Sequence, residues 1–88
     1  MAYDVYSALG NEIRVKLLLC LSKRAKNVTE MIATCGLAQS AVSQHLAKLK
    51  KARLVVTKKR GKLMQYSLKD RKIAAVCRLM QHLQQEVQ

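Results

Sequence analysis

Proline, phenylalanine and tryptophan are missing from the sequence, and tyrosine occurs only three times. A core must come from Leu, Ile, Val, Met and Ala, a set that suits packed helices better than a β-sandwich. No apolar run exceeds five residues (Leu17 to Leu21 is one), far short of the roughly 20 needed to span a bilayer, so no membrane-spanning segment is expected. The opening stretch MAYDVYSALGNE has neither a basic start nor a long apolar segment, so no secretory leader is expected. Cysteine occurs three times, without a CxxC pair or regular spacing. That is no disulfide framework, and it fits a reducing cytoplasm. A Gly-rich phosphate loop, an acidic dyad and a nucleophile paired with a base are all absent, so no enzyme and no cofactor are expected.

The scarcity of acid is the most informative lack. Asp and Glu number five against seventeen Lys and Arg, a net charge of +12 on 88 residues. A charge this large favours a polyanionic partner, nucleic acid or an anionic surface, over solubility alone. The length allows one domain, residues 1–88. Half the residues are hydrophobic, so a modest core can form, of the size that gains from an oligomer interface.

Periodicity divides the chain. Residues 2–9 can form a short helix with Val5 and Leu9 inward, interrupted at Gly10. Asn11 is a candidate N-cap for a helix over about 12–24, whose positions Ile13, Leu17, Cys20 and Leu21 share one face. Cys20 reads there as small core filler. Asn27 with Glu30 three residues later resembles a capping box, and Gly36 ends the short helix that follows, with Met31, Ile32 and Cys35 inward. After Gly36, Leu37 and Ala38 a fourth helix begins, with Val42, Leu46 and Leu49 inward. Its opposite side carries Ser40, Gln44, Ala47, Lys48 and Lys51, with Ser43 at the edge; His45 sits at the boundary. The period then changes to two: VVTKKRGKLMQYSL reads as a hairpin turning at Arg60-Gly61, with Met64, Tyr66 and Leu68 on one face. Asp70 can cap a last helix over about 71–87, striped with Ile73, Val76, Cys77, Met80, Leu83 and Val87, close to a heptad seam.

Two helices joined by a three-residue turn containing Gly make a helix-turn-helix, here about 28–53. A second helix that is small and polar outside fits the major groove. A basic hairpin behind it, about 55–68, is a wing. The window from Met31 to Lys69 holds no acid and nine of the seventeen basic residues, and any carboxylate in it would repel phosphate. The expected fold is mainly α with a small β-hairpin: four helices, two strands and a last helix.

GLAQSAVSQHLAKLKKARLV, Gly36 to Val55, resembles the recognition segment G-L-S-Q-S-x-V-S-x-H-L-x-x-L-x-x-A-G-L-V of the ArsR/SmtB family of bacterial winged-helix repressors. KKRGKLMQYSL resembles that family's wing and LGNEIRVKLLLCL its opening helix; the likeness runs from about Leu9 to Leu68 and more weakly to Glu86. The resemblance implies a winged helix-turn-helix homodimer joined through its terminal helices, acting in the cytoplasm as a repressor on double-stranded DNA with an inverted-repeat operator. It implies Gln39, Ser40, Ser43 and Gln44 as base and phosphate contacts, with Lys48, Lys51, Lys59, Arg60 and Lys62 meeting phosphates. It implies Ile73, Val76, Cys77, Met80 and Leu83 as the dimer seam. The family's serine N-cap is Ala38 here, and the glycine that closes its recognition helix is Arg53.

The family's metal sites do not carry over. Arsenic-sensing members have Cys-Val-Cys where this chain has Asn27, Val28 and Thr29. Zinc-sensing members have ligands where it has Asp70, Lys72, Leu83 and Glu86; Lys72 and Leu83 are no zinc ligands, and His82 is one position off. No metal is expected. Some members sense oxidants through one cysteine in the second helix and another in the last, which makes Cys20 and Cys77 a candidate thiol sensor. A sequence-tolerant architectural DNA- or RNA-binding protein is the alternative, and the Gln/Ser surface argues against it.

Overall fold

A computed structural model describes residues 4–87. In chain order they form α1 (Val5–Leu9), α2 (Glu12–Leu21), α3 (Val28–Cys35), α4 (Gln39–Lys51), β1 (Val55–Arg60), β2 (Leu63–Leu68) and α5 (Arg71–Val87). The helix expected at 2–9 is thus α1; residues 2 and 3 lie outside the described residues.

Helix α2 is the centre. The Asn11 side chain accepts from the amides of Ile13 and Arg14 and starts it. Leu17, Leu18 and Leu21 are buried, and Arg14 and Val15 with them. The inward stripe is therefore 14, 17, 18 and 21, one step round from the expected one; Ile13 and Cys20 sit at its margin. The helix stops at Leu21 rather than near residue 24, because the chain beyond it has another use. Lys26 exchanges backbone hydrogen bonds with Tyr66 at 3.0 and 2.8 Å, adding a one-residue third strand to the hairpin. The Lys26 ammonium turns back and donates to the Cys20 carbonyl at 2.7 Å, satisfying an orphan acceptor of the helix end.

The capping box at α3 is complete: Asn27 accepts from the Glu30 amide at 2.8 Å and Glu30 from the Asn27 amide at 3.0 Å. Gly36 ends α3 with φ of 69°, the left-handed conformation that glycine reaches without a Cβ penalty. Its neighbour corrects an expectation. Cys20 and Cys35 are joined in a disulfide, with Cα atoms 6.0 Å apart. Cys20 is therefore neither core filler nor the partner of Cys77, which is a free thiol in the core. The packing of α3 on α2 creates the pair, and spacing along the chain does not encode it.

Helix α4 packs through Val42, Leu46 and Leu49 against α2, α3 and β1. It has no side-chain N-cap, since Ala38 has none to offer. Its C-terminus is a Schellman motif: the Leu54 amide reaches the Leu49 carbonyl and the Arg53 amide the Lys50 carbonyl, each at 3.0 Å. Buried Leu49 and Leu54 supply the accompanying apolar contact. Arg53 holds the left-handed position with φ of 61°. The hairpin pairs Val55 with Leu68, Thr57 with Tyr66 and Lys59 with Met64 on one face. Arg60 still pairs with Leu63, so the turn is Gly61-Lys62, one residue later than expected, with positive φ at Gly61.

Helix α5 returns across α2 and starts at Asp70, whose side chain accepts from the Lys72 amide. Ala74 and Cys77 are buried, and Ile73 and Met80 lean on the core. No described helix is long and apolar enough to cross a membrane.

A left-handed L-residue costs roughly 1–2 kcal/mol, of which glycine's greater unfolded-state entropy returns a part. Arg53→Gly should therefore stabilise the fold by about 0.5–1 kcal/mol, read as a higher urea midpoint with an unchanged m-value. Gly36→Ala should act in the opposite direction and by more.

Candidate nucleic-acid interface

One helix carries both the core contact and the exposed polar face. With Val42, Leu46 and Leu49 inward, the remaining positions of α4 turn outward by the helical period. Gln39, Ser40, Ser43, Gln44, Lys48 and Lys51 are all exposed, as is Lys50. Among the described residues none of these side chains bonds another protein group. On the hairpin Lys58, Lys59, Arg60 and Lys62 are exposed; only Arg60 has a partner, donating to the Gln65 amide oxygen at 3.2 Å. The wing is fixed relative to α4 because the Schellman turn leads straight into buried Leu54 and Val55.

The charges of this surface are uncompensated. Among the described residues the one ion pair is Arg24 with Glu30 at 2.9 Å, and it lies at the start of α3. The Asn27 amide, then the Arg24 guanidinium, hold the Glu30 carboxyl below its usual range. No acid faces the cations of α4 or the hairpin from within residues 31–69. Such a surface attracts a polyanion at range and offers short amide and hydroxyl groups at contact.

Arg14 belongs to this site although it does not touch solvent. It is 6% exposed, and its guanidinium donates to the Ala8 carbonyl at 2.8 Å and the Ser7 carbonyl at 2.9 Å. It also lies 3.3 Å from Nδ1 of His45 on α4. Guanidinium has no acceptor, so His45 accepts at Nδ1 and carries its proton on Nε2. One buried cation thereby closes the C-terminus of α1 and fixes the rotation of α4. The sequence does hold a signal for it: Arg14, Leu17, Leu18 and Leu21 follow i, i+3, i+4, i+7.

The last helix has a second apolar stripe. Val76, Leu79, Leu83 and Val87 are exposed, Leu79 by 66% and Leu83 by 60%. Of the residues expected on a dimer seam, Val76 and Leu83 lie on this outer face. Cys77 does not: it is wholly buried against the chain's own core, and Ile73 and Met80 lean the same way. The reason is geometric. At about 100° per residue, positions 73, 74 and 77 share one side and 76, 79, 83 and 87 the adjacent one. α1 exposes Tyr6 and Val5, and a cleft of about 530 Å³ runs between residues 9–12 and Met80, Gln81, Gln84 and Gln85. Among the described residues no three of His, Cys, Asp and Glu converge as a metal site.

Replacing Arg14 by Met should cost about 2–3 kcal/mol, since the buried Ala8 carbonyl and the part-buried Ser7 carbonyl lose a charged donor; urea unfolding measures it. Burial, then the Arg14 and Lys48 charges, hold the His45 imidazole below its usual value. The unfolded chain then takes up a proton that the fold resists. Stability is complete above about pH 7 and falls as the pH drops through about 6.5. His45→Asn, whose amide oxygen can accept from Arg14, should flatten that fall in melts followed between about pH 7.5 and 5.5.

Comparison with known proteins agrees with this geometry. Residues 11–57 match the family model for bacterial regulatory proteins of the arsR family. The chain is 37% identical over 70 residues to the HTH-type transcriptional regulator KmtR of Mycobacterium tuberculosis, covering 80% of this chain and 54% of KmtR. It thus spans about half the length of that relative. It is 36% identical to the transcriptional activator HlyU of Vibrio cholerae over 93% of this chain and 76% of HlyU. The solved structure of that HlyU superimposes with a TM-score of 0.75 at 34% identity, over 90% of this chain and 86% of the other. The homodimeric winged helix-turn-helix domain of Mb0332 from Mycobacterium bovis gives a TM-score of 0.78 at 26% identity, over 93% and 76%. The chain belongs to the arsR family of bacterial regulatory proteins and has the winged helix-turn-helix fold.

Proposed function

We propose that this chain works as a homodimer that reads an inverted-repeat operator, placing α4 of each subunit in successive major grooves and the hairpin on the flanking backbone. The observation that carries the reading is the exposed face of α4: Gln39, Ser40, Ser43 and Gln44 stand unpartnered beside lysines, with no acid from residue 31 to 69. A binder that used charge alone would have no need of the amides and hydroxyls. The outer stripe of α5 is the subunit contact, with Val76, Leu79, Leu83 and Val87 at its centre; that the Mb0332 domain is homodimeric supports a dimer. The cytoplasm is the place of such a protein. Occupancy of a promoter excludes polymerase, so repression is the expected sign. Activation, the sign in the name of HlyU, is the second reading; a reporter driven by a bound promoter decides between them. Asn27, Thr29, Lys72 and Leu83 replace four family metal ligands, so neither zinc nor arsenite is the effector through those sites.

Gln44→Ala and Ser40→Ala should lower the preference for the selected operator over random duplex, by about 1–3 kcal/mol where a bidentate base contact is lost. Lys59→Ala and Lys62→Ala should weaken all duplexes alike and reduce the salt slope by about 1 each. Equal weakening of operator and random DNA by Gln44→Ala would turn the reading to the architectural alternative. Leu83→Lys should yield monomers in sedimentation and reduce operator affinity with them. A wild-type chain that stays monomeric at tens of micromolar would refute the dimer.

A further inference from the structure

The Cys20–Cys35 bond ties the last turn of α2 to the last residue of α3. Three residues separate it from the start of α4. The two sulfurs differ in setting from the third. Cys20 and Cys35 are half-buried at the edge of the core, whereas Cys77 is sealed within it. A small solute can reach the pair.

The surroundings serve both oxidation states. The Thr34 hydroxyl oxygen lies 3.8 Å from each sulfur, and its hydrogen goes to the Glu30 carbonyl at 2.7 Å. In the reduced pair its free lone pairs can accept S–H from either cysteine. On the other side the Lys26 ammonium sits 2.7 Å from the Cys20 carbonyl oxygen, and Lys23 and Arg24 lie three and four residues on in the chain, so the end of α2 that carries Cys20 is cationic. A thiol is nucleophilic as its thiolate.

We propose that Cys20 and Cys35 form a reversible dithiol–disulfide pair oxidised by hydroperoxides, and that the bond sets how firmly α3 holds α4. The Cys20 thiolate attacks the terminal peroxide oxygen; the O–O bond breaks and the alcohol leaves with a proton, leaving a sulfenic acid on Cys20. The Cys35 sulfur attacks that sulfenic sulfur, the S–S bond forms, and the hydroxyl leaves as water with the Cys35 proton. Two thiols lose two electrons and two protons; one hydroperoxide becomes one alcohol and one water. A dithiol reductant returns the pair to two thiols by exchange, leaving as its own disulfide. With the bond formed, the Gly36 turn starts from an anchored point. With it broken, the sulfurs separate to a non-bonded distance, and α3 is held by its packing through Met31 and Ile32 and by the capping box at its far end. The effect on DNA rests on the reading of α4 given above; the sulfur chemistry does not.

The test uses the whole chain, reduced or treated with near-stoichiometric hydrogen peroxide. Alkylation under denaturing conditions with mass mapping should find Cys20 and Cys35 protected after peroxide, released by dithiothreitol, and Cys77 reactive throughout. The bond closes a loop with a sequence separation of 15, so the oxidised form should melt about 10 °C or more above the reduced one. Backbone amides of residues 39–51 should exchange at least about threefold more slowly in it. Affinity for a duplex selected from a random pool by the wild-type protein should drop at least about threefold on reduction. Cys35→Ser, and Cys35→Ala as a second variant, should resemble the reduced form whatever the treatment, while Cys77→Ser should respond as wild type. Absence of protection, or a bond to Cys77 or between subunits, overturns the site. Equal exchange in the two forms overturns the coupling. If no duplex is selected at all, the DNA reading of α4 fails, and alkylation and exchange still decide the proposal.

Discussion

The burial of one face of α2 is the constraint from which the arrangement follows. Leu17 and Leu18 are wholly buried, and α1, α3, α4, α5 and the second strand all pack on this ten-residue helix. A chain of this size has one core, so each neighbour must bring an apolar stripe to the same place. That requirement fixes the rotation of every other helix about its own axis. Once Val42, Leu46 and Leu49 of α4 meet α2, the outward side of α4 is determined residue by residue. The position of the exposed amides of α4 is thus a consequence of leucines two helices away.

Two charged side chains, Arg14 and Lys26, are buried among the described residues, and the placement of each is specific. An unpaired guanidinium in an apolar interior would cost several kcal/mol. Arg14 avoids that by donating to two carbonyls at the end of α1 and meeting the imidazole of His45. Those carbonyls belong to a five-residue helix that has little stability of its own, and that of Ser7 accepts from the Gly10 amide as well. The cation therefore does for α1 what a C-cap would do, and it couples that short helix to α4. Lys26 repeats the solution at the end of α2, with burial pushing its amine below the usual value. In both places a long cationic side chain supplies donors to carbonyls at a helix end whose C-cap residue is not in the left-handed conformation.

Features settled by neighbours in the chain were legible in the sequence. Asn11, the Asn27–Glu30 pair, Gly36 and Asp70 bound helices through contacts spanning two or three residues, and such contacts depend on little else. The inward set of α4 and the paired face of the hairpin were legible from period alone. What escaped depends on contacts distant in sequence. Lys26 meets Tyr66, which shortens α2; Cys20 meets Cys35; Arg14 meets His45. Arg14 occupies an apolar stripe, yet a charged residue on such a stripe reads as solvent-facing until its acceptors are known. In α5 the difficulty was different: apolar residues cover two adjacent sides of the helix, and pattern alone does not say which side the chain's own core takes. Cys77 went to the core side.

That division of α5 bears on how the regulator can be controlled. The inner stripe holds the helix to its own subunit through Ala74 and Cys77, and the outer stripe offers Leu79 and Leu83 to a partner. The two stripes share one rigid helix of 17 residues, so a rotation that improves one contact degrades the other. A solute acting at the helix must shift the two together, moving subunit spacing and core packing in one step. The Cys20–Cys35 bond lies on α2 and α3, away from α5 in the chain. On the two proposals made above, that bond would act on the seating of α4 within one subunit, whereas the subunit contact on α5 would set how far apart two α4 helices stand.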